Sequence, residues 1–247
     1  LALLGMVLFL QQRRAARLAE QRVSFVNRVS HELGTPLTNS LLNLDLIAEQ
    51  QAELPESARR RLHLVRAETQ RLIRLVSNVL AFSRSERRQW QPNLAEHVPD
   101  EIIDAVLQQF QAALARRSMQ TNWRAAAKQR MMIDRDALAQ IISNLVSNAE
   151  KYAANGQHLE IDSRMENGEL IIRLTDRGPG IPRSEASRIF EPFERLSSRV
   201  NEGSSGAGLG LTVARELAHS LGGQLCLLDH APGASFELRL PIRKGTP

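Results

Sequence analysis

The 247-residue chain is 43% apolar and 24% charged, an ordinary globular balance with enough material for two modest domains and no repeat or low-complexity tract. A single cysteine, Cys226, rules out an internal disulfide and argues against a Cys-based metal site, so a reducing compartment fits best. The net charge of +5 sits in the first third: residues 11–90 hold 14 Arg against 8 acids, residues 91–247 hold 18 basic against 19 acidic groups, and the basic stretch has too few aromatics to argue for nucleic-acid binding.

The chain opens LALLGMVLFL and passes into QQRRAAR. Ten apolar residues fall short of the roughly 20 that a membrane span needs. Residues 1–10 are expected to be the C-terminal end of a truncated transmembrane helix, with Arg13, Arg14 and Arg17 as its cytoplasmic flank. A signal peptide fits poorly, because its charge should precede the apolar run and a small-residue cleavage site should follow.

Residues 11–50 read as one long helix: Val26, Val29, Leu33, Leu37, Leu41, Leu44 and Ile47 fall within roughly 60° of one line at about 100° per residue. Residues 51–55, QAELP, signal a turn. In the second helix, 56–84, the residues Leu62, Val65, Thr69, Leu72, Val76, Val79 and Ser83 alternate in steps of three and four, a heptad seam. Two such helices cannot bury both stripes alone, so an antiparallel hairpin over 11–88, closing into a four-helix bundle in a homodimer, is expected. Between residues 85 and 99 the periodicity stops and two prolines appear, which places a linker at 89–98.

From 99 to 247 the pattern changes to mixed strands and helices. A helix is predicted over about 100–116 and another over 136–152, then a hairpin over 158–177 turning at Glu-Asn-Gly, a helix over about 209–221, and a closing strand pair around residues 231–234. The fold class is α+β, with the second domain an α/β sandwich of helices over one face of a sheet.

Four clusters in this domain carry chemistry through their joint order. In NLVSNAEKY, Asn144 and Asn148 lie one helical turn apart, and amide oxygens are suitable hard ligands for Mg2+. Lys151 can meet phosphate charge, and Tyr152, the only tyrosine, can lie over a base. In DRGPGIP, Asp176 at a strand end offers an acceptor for an exocyclic amine, while Gly178 and Gly180 let backbone approach a flat ring; alone, this is also a simple turn. IFEPF carries Phe190 and Phe193, as core packing or as the anchor of a loop end. In GSSGAGLGL, Gly206, Gly208, Leu209 and Gly210 lead into a helix whose free N–H groups and dipole suit polyphosphate.

These clusters resemble the N, G1, F and G2 boxes of the ATP-binding domain shared by sensor histidine kinases, gyrase, Hsp90 and MutL, and SHELGTPL, residues 30–37, resembles the H box of histidine kinases alone. Together the resemblances span residues 22–240. They imply a Bergerat-type domain attached to a dimerising, phosphoaccepting hairpin, with ATP and Mg2+ as cofactors. By the same resemblance Asn148 is the Mg2+ ligand with Asn144 beside it, Lys151 and Tyr152 lie near the nucleotide, Asp176 reads adenine, and residues 194–205 cover ATP. Hydrolysing members carry a glutamate general base where this chain has Asn144, whose amide takes no proton usefully, so the alternative of an ATPase or ATP-gated clamp is disfavoured.

On the helical wheel His31 lies about 140° from the apolar stripe, Thr35 about 180° and Glu32 about 240°, all away from the core. An exposed imidazole beside a carboxylate can act as nucleophile and base pair. The resemblance makes His31 the phosphoacceptor, Glu32 its partner, and Thr35 part of a phosphatase activity on the response regulator, whose receiver domain is the implied partner. The motif departs from the common form at Gly34, where a basic residue is frequent. Pro36 removes a backbone donor and crowds the Glu32 carbonyl, so a bend is predicted there. The expected location is the cytoplasmic membrane of a bacterium, with this portion in the cytoplasm.

Overall fold

A computed structural model describes residues 37–44, 47, 55–86, 91–153, 156–194, 208–228 and 232–243. The apolar run at 1–10, the H-box residues His31, Glu32 and Thr35, the bend predicted at Pro36, and Gly206 lie outside the described residues. Contacts divide the chain after Arg87 into two units, each described by itself.

In the first unit residues 37–44 (α1) are helical, and α2 spans Glu56–Glu86. Pro55 starts α2 by accepting from the N–H groups of Ala58 and Arg59 at 2.9 and 3.1 Å. Glu56 stands in the first turn, where the helix dipole favours an acid, and pairs with Arg60 one turn on. Along the heptad seam Thr69 is buried and folds its hydroxyl back onto the Val65 carbonyl at 2.9 Å. Ser83 is also buried. Val65 and Leu72 on the same seam, with Leu64 beside it, stay exposed in the single chain, as do Leu42 of α1 and Ile47. Among the described residues no helix is long and apolar enough to cross a membrane.

The second unit is a five-stranded sheet covered by three helices. Strands β2 (Gln120–Arg124), β4 (His158–Glu166), β5 (Glu169–Asp176), β6 (Gln224–Leu228) and β7 (Ser235–Pro241) lie in the order β2-β4-β5-β7-β6. The β2/β4 pair is parallel and the remaining pairs are antiparallel. Helices α3 (Pro99–Arg116), α4 (Arg135–Tyr152) and α5 (Gly210–Ser220) follow the predicted spans to within one or two residues. α4 packs between α3 and α5.

Period-two alternation sorts the strands. Leu159, Ile161, Leu170, Ile172, Leu174 and Leu238 point inward and are fully buried against Ile103, Leu138, Ile141, Ile142 and Leu145 of the helices. Each such side chain contributes about 1.5–3 kcal/mol. The opposite face is ionic: Arg124 pairs with Glu160 and Asp162, and Arg173 and Arg239 both reach Glu237 at 2.7 Å. The β4–β5 hairpin turns at Asn167 and Gly168, both at positive φ (52° and 80°), the primed turn that an Asn-Gly pair favours.

The stretch expected to be linker, 89–98, contains a strand. β1 (Ala95–His97) pairs antiparallel with β3 (Met131–Ile133) in a separate two-stranded sheet. Asp134 fixes this register: one carboxylate oxygen caps α4 at Ala137 N–H (2.9 Å), the other accepts Asn93 N–H (2.8 Å).

Candidate functional site

The fold brings the described residues of all four clusters toward one end of the sandwich, where α4 finishes, α5 begins and β5 leaves the sheet, IFEPF joining through the Phe193 N–H to Gly208 bond. Four-residue spacing on α4 puts Asn144 and Asn148 on one face. Asn144 is buried, at 6% exposure, and Asn148 is half-buried one turn nearer the helix end. Lys151 is half-buried and Tyr152 is 40% exposed, at the lip.

Asp176 ends β5 on its inward side and is buried. Its Oδ1 accepts two backbone donors, Gly178 N–H at 2.8 Å and Ala234 N–H at 3.1 Å, while its own N–H donates to the Ala234 carbonyl at 2.9 Å. The carboxylate is thus oriented by the turn after β5 and by the turn into β7. Gly178 passes so close to the end of α4 that a Cβ there would lie 2.8 Å from the Ala153 Cα. Gly233 has φ +103°, and a Cβ on it would fall 1.9 Å from the Asp176 carbonyl oxygen, so only glycine lets the β7 turn reach the aspartate. Gly180 (φ +77°) faces the Gly233 carbonyl across the same gap.

At the start of α5, Leu209 is buried and Gly210 lies against Asn144: a Cβ at 210 would sit 3.5 Å from the Asn144 Oδ1. α5 begins without a side-chain cap, and Val213 N–H to Leu209 O (2.9 Å) is the bond that opens its ladder. The N–H groups before it face outward at the positive end of the helix dipole. Two buried polar atoms on these facing helices, Asn144 Nδ2 and Thr212 Oγ1, make no hydrogen bond among the described residues. Each such group costs about 1–3 kcal/mol until a partner arrives. Gly208 (φ +69°) precedes the helix, and its carbonyl accepts Phe193 N–H at 3.1 Å.

The two phenylalanines of IFEPF differ. Phe190 is core, edge-to-face with Phe236 at 6.4 Å between ring centroids, with the Arg215 guanidinium 4.9 Å above it. Phe193 is 66% exposed, at φ 64°.

These donors suit a magnesium nucleotide. The orphaned donor Asn144 Nδ2 and the uncapped helix start call for an anion, and Asn148 offers an amide oxygen one turn away. Among the described residues no cluster of three His, Cys, Asp or Glu forms a metal site. A cation held by amide oxygen and by phosphates that arrive with it matches the habit of Mg2+.

Sequence reasoning missed Ala234, Thr212 and Arg215. Ala234 acts through its backbone and leaves no side-chain signal. Thr212 and Arg215 sit at ordinary helix positions.

Residues 133–244 match the family model for histidine kinase-, DNA gyrase B- and HSP90-like ATPases, and residues 21–88 match the His Kinase A (phospho-acceptor) domain. The chain is 32% identical over 232 residues to the sensor-like histidine kinase SenX3 of Mycolicibacterium smegmatis, covering 93% of this chain and 60% of that protein. It is 31% identical over 231 residues to the sensor histidine kinase WalK of Bacillus subtilis, covering 92% and 38%. The chain therefore spans three-fifths or less of the length of these two relatives. The fold is similar to full-length ShkA in complex with AMPPNP (TM-score 0.64, 24% identity, 90% of this chain and 46% of that one). It is also similar to the Acinetobacter baumannii histidine kinase AdeS (TM-score 0.59, 24% identity, 86% and 98%).

Proposed function

We infer the activity from a membership that both domains establish: the chain belongs to the sensor histidine kinases of two-component systems, joining a phosphoacceptor domain to a GHKL-type ATPase domain. In our reading it transfers the γ-phosphoryl group of ATP to His31 and then to an aspartate on the receiver domain of a response regulator. A neutral imidazole nitrogen of His31 attacks the γ-phosphorus, the bond from that phosphorus to the β–γ bridging oxygen breaks, and ADP leaves. Glu32 takes the ring proton. The aspartate carboxylate of the regulator then attacks the phosphorus, and the N–P bond breaks as the ring takes the proton back from Glu32, returning the neutral imidazole.

The observation that carries this reading is the meeting of Asn144, Asn148, Asp176 and the uncapped start of α5 at one end of the sandwich. Asp176 reads the adenine amine, Tyr152 lies beside the base, and Gly208, Leu209 and Gly210 carry the phosphates at the helix end, with Gly206 preceding them. Lys151 adds positive charge. Asn148 would hold Mg2+ through its amide oxygen, and the ion would supply screening of the phosphate charge. Asn144 supports transfer over hydrolysis, since an amide is no general base for water.

The apolar seam that α2 leaves exposed at Val65 and Leu72 supports a homodimer closing a four-helix bundle. We place this portion in the bacterial cytoplasm, joined to the membrane through residues 1–10.

Incubation with γ-labelled ATP tests the reading. Label that survives base, is lost in acid and disappears in His31→Ala is expected; steady phosphate release without protein labelling would refute it. Thr35→Ala is expected to leave His31 labelling largely intact while slowing dephosphorylation of the regulator. Equal loss of both would count against Thr35 as part of a phosphatase activity.

A further inference from the structure

Arg215 lies on α5 five residues past Gly210, a little over one helical turn and about 7.5 Å along the axis. It makes two contacts with one residue. Its guanidinium carbon sits 4.9 Å over the Phe190 ring, and its Nη2 donates to the Phe190 carbonyl at 3.3 Å. Phe190 is itself fixed, buried at 5% exposure and edge-to-face with Phe236 of β7. Three residues on, Phe193 N–H donates to the Gly208 carbonyl at 3.1 Å, two residues before α5 starts. The segment 190–193 and the start of α5 are therefore joined at two points, one on each side of Gly210.

We propose that Arg215 is a positioning residue for the triphosphate, setting the height of the α5 N-terminus against Asn144 by clamping the helix to Phe190. The inference rests on the nucleotide-binding reading of this site. The helix start has no side-chain cap and, among the described residues, Thr212 Oγ1 within it makes no hydrogen bond, so the first turn is seated by the apolar packing of Leu209 and Val213 without a polar hold of its own. The Arg215 clamp supplies that hold from one turn further along. Only a planar guanidinium can lie over a ring and donate in its own plane to the carbonyl of the same residue; an ammonium keeps the charge and loses the fork. Arg215 is assigned no step of the reaction: its contacts are with Phe190. A helix start that drifts weakens the grip on phosphates equally in the ground and transition states, which changes KM and spares kcat.

The test uses the 247-residue chain with Arg215→Ala, Arg215→Lys, Phe190→Leu and the double variant Arg215→Ala/Phe190→Leu. Initial rates of His31 labelling against ATP concentration give KM and kcat, and equilibrium titrations with a non-hydrolysable ATP analogue and with adenosine separate phosphate contacts from base contacts. Arg215→Ala is expected to raise KM for ATP about tenfold with kcat within about twofold. Analogue affinity should fall by a similar factor while adenosine affinity holds. Arg215→Lys should recover part of the loss. The double variant should be no worse than the poorer single one, because both remove the same contact.

Unchanged KM in Arg215→Ala, effects that multiply in the double variant, or equal weakening of adenosine and analogue would each overturn the proposal. If the unsubstituted chain binds the analogue but leaves His31 unlabelled, the kinase reading falls, and the analogue-to-adenosine ratio still decides the role of Arg215. If it binds neither ligand, both fall.

Discussion

Asp176 clamps two turns and, in the proposed function, also reads adenine, and one substitution can separate the two. Its Oδ1 accepts Gly178 N–H and Ala234 N–H at 2.8 and 3.1 Å, and all three residues are buried. A carboxylate has about four lone-pair positions, so one side chain has the capacity to serve backbone donors and an adenine amine together. Asp176→Ala strands both donors. At about 1–3 kcal/mol for each buried group left unsatisfied, the loss is about 2–6 kcal/mol, a large part of the 5–15 kcal/mol that holds a typical domain. Asp176→Asn keeps an oxygen for the two N–H groups and loses only the charge assistance, about 1 kcal/mol. It also turns an amide NH2 toward a ligand that brings an NH2 of its own. Unfolding midpoints in urea, followed by circular dichroism, and titration with an ATP analogue read the two effects independently. The expected pattern is a sharply destabilised Ala variant and a nearly wild-type fold for Asn, with analogue affinity down about a hundredfold in the latter, the penalty of an unmatched donor in a buried site. An Asn variant that binds the analogue as well as wild type would show that Asp176 is a structural clamp and that adenine is read elsewhere.

Two further substitutions follow from the same geometry. In Gly210→Ala the new Cβ lies 3.5 Å from Asn144 Oδ1, an ordinary contact, so stability should hold or rise by up to about 1 kcal/mol as the helix start stiffens. The methyl group narrows the space between Asn144 and the phosphates, so analogue affinity should fall; loss of stability and affinity together would contradict this. Burial pushes the Glu237 carboxyl up, but the hydrogen bonds and charge of Arg173 and Arg239 outweigh it and hold it below its ordinary value of 4.5. A depressed acid contributes its stability fully above 4.5 and loses it as pH falls through the folded value. Glu237→Gln should therefore lower the thermal midpoint at neutral pH and converge with wild type in acid, and a constant offset at every pH would show that packing rather than charge is at work.

The elements that were legible are those whose signal is local. α4 announces itself through an apolar face, the β4–β5 turn through Asn167-Gly168, Asn144, Asn148 and Asp176 through polar side chains in an otherwise apolar pattern, and Gly210 through the glycine-rich run before a helix. β1 and β3 were not legible because three-residue strands carry too little alternation to stand out, and the register between them is set by an Asp134 to Asn93 bond spanning 41 residues. Ala234 and the Phe190 carbonyl enter the site as backbone, which no motif records. Phe190 and Phe193 share a motif and yet face opposite ways, because a positive φ at Phe193 turns the chain just after the ring of Phe190 is buried.

The two helices of the site are anchored unequally, and the inequality fits their tasks. α4 is fixed at both ends: Asp134 caps its start and ties in Asn93, and its last turn meets Gly178 too closely for a Cβ to intervene. Asn144 and Asn148 are therefore presented from a preformed frame, with little ordering left for the ligand to impose. α5 starts without a side-chain cap, carries a Thr212 hydroxyl with no hydrogen bond among the described residues, and takes its polar hold from Phe190 through Arg215. A polyphosphate supplies what that end lacks, acceptors for the free N–H groups and charge for the dipole. Nucleotide binding is then expected to quench amide hydrogen exchange in the first turn of α5 far more than anywhere along α4. Equal protection of both helices would mean that α5 is as rigid as α4 before ligand arrives, and that the Arg215 clamp has no slack to remove.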